Sequence, residues 1–159
     1  MTGTAKTYSG ACGCGQLTYE MHGAPMIVHC CHCLECQKQT GSAYVLNAIV
    51  ETDRVQLKGN RTEHTLSTPS GKGQIVTRCA DCGTAVVSRY MVRLGKLTYV
   101  RVGTLDDPAS CPPDVQIFTS SKQPWVPLSS DIPVFDEGYK FEDVWPADAL
   151  ARMTAAYES

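Results

Sequence analysis

The sequence predicts a mainly β chain of short antiparallel strands, with cysteine knuckles in the connections between them. Two observations predict it. Short runs with period-two alternation or continuous apolar character, rich in Val, Ile, Thr and Tyr, recur along the chain and are bounded by Gly, Asn and Pro. Eight of the nine cysteines also fall into tight groups in these connections: Cys12-x-Cys14, then Cys30, Cys31, Cys33 and Cys36, then Cys79-x-x-Cys82 followed by Gly83. Only Cys111 stands alone.

Gln16 to His22 alternates, with Leu17, Tyr19 and Met21 on one face. Tyr44 to Val50 is a nearly continuous apolar run that suits a central strand and also fits a buried helix. Arg54 to Lys58 and Arg61 to Leu66 flank Gly59-Asn60, which reads as a two-residue hairpin turn. Gln74 to Cys79, Thr84 to Tyr90 and Lys96 to Val102 follow as strands, and Val115 to Thr119 adds one more. Loops rich in Pro, Asp and Ser occupy residues 103–114 and 120–133. Pro146 can open a helix within a C-terminal tail at 143–158, with Leu150, Met153 and Tyr157 on one stripe. That stripe packs on the sheet or, in a homodimer, on a second subunit. With no repeat, low-complexity tract or obvious linker, residues 1–159 read as one domain.

Composition narrows the function classes. A chain that is 43% hydrophobic is ordinary for a globular protein, and a formal charge of −2 with a pI near 6.0 provides no bulk attraction to nucleic acid or to an anionic membrane. The basic residues do not cluster and no aromatic–basic interleaving is visible, so a nucleic-acid partner is not expected. Met1 to Gly10 is polar and lacks the apolar core of a signal peptide, and no apolar run approaches bilayer length. The expected location is the cytoplasm, where thiols stay reduced. The odd cysteine count and the adjacency within the groups weigh against a disulfide framework.

Short-range thiols of this kind suit zinc, because two or three thiolates from one turn reach a single ion. A structural zinc is closed by four protein ligands, whereas a catalytic one keeps three and leaves a position open. The clusters contain seven well-spaced thiols, with Cys30 to spare. One grouping closes a site from Cys12, Cys14, Cys79 and Cys82 and leaves Cys31, Cys33 and Cys36 around an open zinc. The other pairs Cys33-x-x-Cys36 with Cys79-x-x-Cys82 as a zinc ribbon. That ribbon has a long insert, residues 37–78, and strands Cys12 and Cys14. Spacing favours the first grouping and leaves the second open.

Three motifs carry a family resemblance. Gly10-Ala-Cys-Gly-Cys-Gly15, Cys31-His-Cys-Leu-Glu-Cys-Gln-Lys-Gln-Thr-Gly-Ser42 and Cys79-Ala-Asp-Cys-Gly83, taken together, resemble the glutathione-dependent formaldehyde-activating enzyme family, whose relatives include centromere protein V and the Mss4-like zinc fold. The likeness continues through Val102-Gly-Thr-Leu-Asp-Asp-Pro108 and Phe118-Thr-Ser-Ser-Lys-Gln-Pro-Trp-Val126, covering roughly residues 8–136. It implies a β-tent holding two Zn²⁺. By the same resemblance Cys12, Cys14, Cys79 and Cys82 match the structural site, and Cys31, Cys33 and Cys36 match the catalytic one. Arg78 departs from the pattern, since many members carry an aromatic residue before the third motif.

The implied activity is a zinc-dependent carbon–sulfur lyase acting reversibly on thiol–aldehyde adducts such as S-hydroxymethylglutathione, with glutathione and a small aldehyde as partners. Three thiolates on Zn²⁺ carry one net negative charge and donate much electron density, so activation of an incoming thiol suits the site better than polarisation of a carbonyl. A non-catalytic zinc-binding interaction module is the alternative on the same fold. His29 is a candidate fourth ligand, and His32 and Glu35 are candidate proton carriers. Lys38, Arg78 and Lys122 are candidate partners for the glutathione carboxylates. Trp125 is either a pocket wall or core packing.

Overall fold

A computed structural model describes residues 6–68 and 71–159; the first five residues of the polar start lie outside it. Among the described residues, ten strands form two sheets. The smaller sheet joins β1 (Thr7–Ala11), β2 (Thr18–His22) and β5 (Val55–Lys58), with β2 in the middle and both pairings antiparallel. The larger one runs in the order β10 (Val115–Ile117), β3 (Ile27–Cys31), β4 (Val45–Glu51), β9 (Leu97–Arg101), β8 (Ala85–Tyr90), β7 (Gln74–Cys79) and β6 (Arg61–Leu66). Its pairings are antiparallel except that β10 lies parallel to β3. Helix α1 (Leu34–Thr40) follows β3, and α2 (Ala147–Glu158) closes the chain.

Alternation along the strands builds two apolar layers. Leu17, Tyr19 and Met21 are buried and meet Val28, Ala48, Val50 and Val100 on one face of the large sheet. The opposite face turns Ile27, Cys31, Val45, Ile49 and Leu97 towards the C-terminal segment, where Trp145 and Ala149 are buried against them. Leu150, Met153 and Tyr157 pack on this second layer, so the stripe read from the sequence meets the sheet of its own chain. Arg152 fastens the helix there: its Nε and Nη2 donate to the two oxygens of Glu51 at 2.8 and 2.6 Å. Among the described residues, no helix is long and apolar enough to cross a membrane.

The expected hairpin across Gly59-Asn60 is not formed. β5 pairs with β2 in the small sheet, whereas β6 pairs with β7 in the large one, so the two glycine-flanking strands part company. Gly59 is required for another reason. It has φ +120°, and a Cβ there would stand 2.0 Å from the Gln16 carbonyl oxygen, so the chain crosses between sheets where backbone touches backbone. Two strands and one helix also go beyond the sequence reading. β1 consists of small and polar residues with little apolar alternation, and β3 is buried at all five positions and so shows no period. α1 is a short polar helix started inside the cysteine cluster.

Candidate functional site

Two knuckles bring the first cysteine group together. In the β1–β2 turn, the Gly15 N–H donates to the Cys12 carbonyl at 3.1 Å and the Leu17 N–H donates to the Cys12 sulfur at 3.2 Å. In the β7–β8 turn, the Gly83 N–H donates to the Cys79 carbonyl at 3.0 Å. The Sγ atoms of Cys12, Cys14, Cys79 and Cys82 all lie within 4.8 Å of one another, with Cys12 to Cys14 at 3.5 Å and Cys14 to Cys79 at 3.8 Å. Zn–S bonds of about 2.3 Å in a tetrahedron place sulfurs about 3.8 Å apart, so the four thiols fit that ion. Thr84 joins the knuckles. Its hydroxyl accepts from the Gly13 N–H at 3.2 Å and lies 3.2 Å from Cys82 Sγ. The Thr84 hydroxyl and backbone N–H draw the Cys82 thiol down to about 5.

The second group forms where β3 runs into α1. Cys31 ends the strand, Cys33 is the helix N-cap, and Cys36 lies in the first turn. Cys33 Sγ does the work an aspartate or serine oxygen usually does at this position, accepting the Cys36 N–H at 3.3 Å. The three sulfurs lie within 4.8 Å of one another. Hydrogen bonds from Cys31 and Cys36 draw the Cys33 thiol down to about 2, while Cys31 is pushed up by its bonds to Cys33 and Cys36 and by burial. For Cys36 the Cys31 contact lowers the pKa, but Cys33 and burial outweigh it and hold the thiol at about 12. A bound cation is what would make all three thiolates. That donor set fits a soft or borderline metal such as zinc.

The remaining candidates sort by their contacts. Cys30 and Cys111 are buried and lie outside both groups. His29 places Nε2 2.5 Å from the Tyr139 hydroxyl, and burial drives it down to about 4. His32 is buried with Nε2 3.5 Å from Cys30 Sγ and its ring 5.3 Å from that of Tyr44. Its carbonyl accepts from Gln37 Nε2 at 2.7 Å and from Ser121 Oγ at 3.1 Å, which ties the knuckle to α1 and to the segment after β10. Glu35 and Lys38 are exposed on α1. Arg78 donates to the Gly83 carbonyl at 3.1 Å, beside the four-thiol group. Lys122 donates to the Gln123 carbonyl at 3.3 Å and its charge reaches His32. Trp125 is 73% exposed, which rules out core packing.

Sequence reasoning passed over Thr84 and Arg101. Thr84 follows the third motif and looked like the first residue of a strand. Arg101 is 5% exposed at the end of strand β9, and a charge closing an apolar run was the available signal. Its Nη1 donates to Asn47 Oδ1 and its Nη2 to Gln39 Oε1 at 3.0 Å.

A β scaffold that gathers four thiols in one pair of knuckles and three in another defines a cysteine-based metal-binding protein. The family model for the glutathione-dependent formaldehyde-activating enzyme matches residues 7–121, and the chain belongs to that family. The match includes all seven clustered thiols and ends before α2. Among solved structures, a crystal structure of a Rhodobacter sphaeroides protein is similar over 79% of this chain and 98% of its own, with 12% identity and a TM-score of 0.46. No curated protein matches the chain.

Proposed function

We propose that the chain is a zinc-dependent carbon–sulfur lyase that makes and breaks thiol–aldehyde adducts of the S-hydroxymethylglutathione type. Cys12, Cys14, Cys79 and Cys82 hold a structural zinc, and Cys31, Cys33 and Cys36 hold a second one with an exchangeable position. The observation that carries this reading is the donor count of the second group. Among the described residues no fourth side chain joins its three sulfurs; His29 Nε2 lies against the Tyr139 hydroxyl and His32 Nε2 against Cys30 Sγ. When bound there, zinc would supply a Lewis-acidic centre that lowers the pKa of an incoming thiol.

In the forward direction the thiol sulfur bonds to the carbonyl carbon, the C=O π bond breaks, and the thiol proton ends on the former carbonyl oxygen. The reverse reaction returns thiol and aldehyde, so no oxidant or other co-reactant is needed. The chain's own residues bind and orient. The half-buried Cys33 lies on the open side of the group, next to exposed Leu34 and Glu35, which gives a substrate access from solvent. Arg78 lies at the four-thiol knuckle, whereas Lys38 on α1 and Lys122, whose charge reaches His32, are the cations proposed to meet the glutathione carboxylates. Glu35, exposed in the first turn of α1 between Cys33 and Cys36, is the base proposed for the entering thiol.

An interaction module is the second reading, favoured by the exposure of Leu34 at 64% and Trp125 at 73%. Formation of S-hydroxymethylglutathione from formaldehyde and glutathione, followed by NMR exchange, separates the two. The zinc-loaded protein is expected to accelerate exchange above the spontaneous rate, and Cys33→Ser to remove the acceleration. An unaccelerated rate with the fully loaded parent protein would overturn the lyase reading.

A further inference from the structure

We infer that Arg101 is a positioning residue whose buried charge makes the exchangeable position of the Cys31–Cys33–Cys36 group favour an anionic sulfur over a neutral ligand. This rests on the open-site reading above. A buried guanidinium stays charged and needs a counter-charge nearby. Arg101 is 5% exposed, yet none of the ion pairs among the described residues includes it. Its partners Asn47 and Gln39 are neutral, and its Nε has no hydrogen-bond partner among the described residues.

The negative charge available to it is that of the thiol group. Arg101 stands opposite Asn47, which stands opposite His29, and two residues further along β3 on the same face is Cys31. Helix α1 approaches from above that face. It carries Cys36 and, three residues on, Gln39, whose side-chain oxygen holds Arg101 Nη2.

The surrounding amides are oriented to suit. Arginine only donates, so Gln39 must present its oxygen to it. Gln39 Nε2 then donates to Gln74 Oε1 at 3.0 Å, and Gln74 Nε2 donates to Ser88 Oγ at 3.0 Å. The guanidinium is thereby held by Asn47 of β4 and Gln39 of α1, and Gln39 in turn by Gln74 of β7, on the sheet face that carries Cys31. Three thiolates and a divalent cation carry one net negative charge, which Arg101 balances. An incoming thiolate adds a second negative charge and gains from the guanidinium, whereas imidazole adds none.

The test uses the cobalt(II)-loaded full chain, with glutathione and imidazole titrated separately and read by the cobalt absorption spectrum. Arg101→Met is expected to weaken glutathione about tenfold or more while imidazole stays within about twofold of the parent. Arg101→Lys is expected to restore most of the glutathione affinity, a rescue that a purely space-filling role would not produce. If both ligands weaken together, or neither does, the inference is overturned. Should Arg101→Met fail to fold, Gln39→Leu carries the test, because it releases the guanidinium from α1 and should weaken glutathione selectively; equal affinities for that variant and the parent overturn the inference. A parent protein whose cobalt spectrum ignores glutathione overturns the open-site reading, and the inference with it.

Discussion

The Gly13 N–H donates to the Thr84 hydroxyl oxygen at 3.2 Å, across two turns that are far apart in the chain. Because that hydroxyl is also 3.2 Å from Cys82 Sγ, one threonine ties the first cysteine knuckle to the last. With its proton turned to the sulfur, the hydroxyl both accepts from Gly13 and stabilises a thiolate.

Thr84→Val keeps the shape and removes both bonds. It is expected to cost about 1 kcal/mol in chemical denaturation. It should also speed loss of the tightly held metal to a chelator. Unchanged stability and unchanged metal release would show that the hydroxyl is incidental.

Cys82→Ser and Cys33→Ser should differ in kind. The four-thiol group ties the β1–β2 turn to the β7–β8 turn, so Cys82→Ser is expected to unfold the protein or lower its melting temperature severely. Cys33→Ser should leave the circular dichroism and the melting transition nearly intact and lower the metal content by one. Interchangeable effects of the two variants would refute the division of roles.

His29→Gln asks whether the histidine beside the second group is a ligand. Its ring is bonded to Tyr139, whose hydroxyl also accepts from Trp145 Nε1 at 2.8 Å, within the aromatic packing of the C-terminal segment. The variant is therefore expected to lose roughly 1–3 kcal/mol of stability while keeping the parent's metal stoichiometry. Loss of one metal equivalent would make His29 the fourth donor.

The Glu51–Arg152 clamp should be visible in the pH dependence of stability. Burial raises the Glu51 pKa, but the Arg152 bonds outweigh it and the net shift is downward. A carboxyl lowered in the folded state stabilises the fold above its unfolded value, near 4.3, and this is lost as pH falls through the lowered folded value. Glu51→Gln is expected to cost roughly 1–2 kcal/mol at pH 7, on the low side for charged hydrogen bonds because the Arg152 side chain is 25% exposed. The difference between parent and variant in urea titrations should shrink towards zero in acid. A difference independent of pH would remove the ion pair from the explanation.

Period-two patterns with one buried face were readable in the sequence. Leu17, Tyr19 and Met21 announced β2, whereas the apolar run before Glu51 fitted a central strand or a buried helix, and the structure makes it a strand paired on both sides. The cysteine spacing announced metal chemistry, because few other roles need so many thiols so close together. Pairing partners were not readable. A glycine at a turn and a glycine under a neighbouring backbone look the same, which is why Gly59 suggested a hairpin. β3 was hidden because burial on both faces erases alternation and because its cysteines and histidine read as ligands. Arg101 and Gln39 lie far apart in sequence, and only the β3–β4–β9 register with α1 above it brings them to one place.

Ligation of a thiol at the three-cysteine group is the central claim, and calorimetry tests it most directly. Glutathione and S-methylglutathione are titrated into the zinc-loaded chain in two buffers of different ionisation enthalpy. Glutathione should bind with release of a proton and more tightly as pH rises towards its thiol pKa, while S-methylglutathione, which cannot ionise at sulfur, should bind much more weakly and release none. Equal affinities with no proton released would contradict sulfur ligation at Cys31, Cys33 and Cys36.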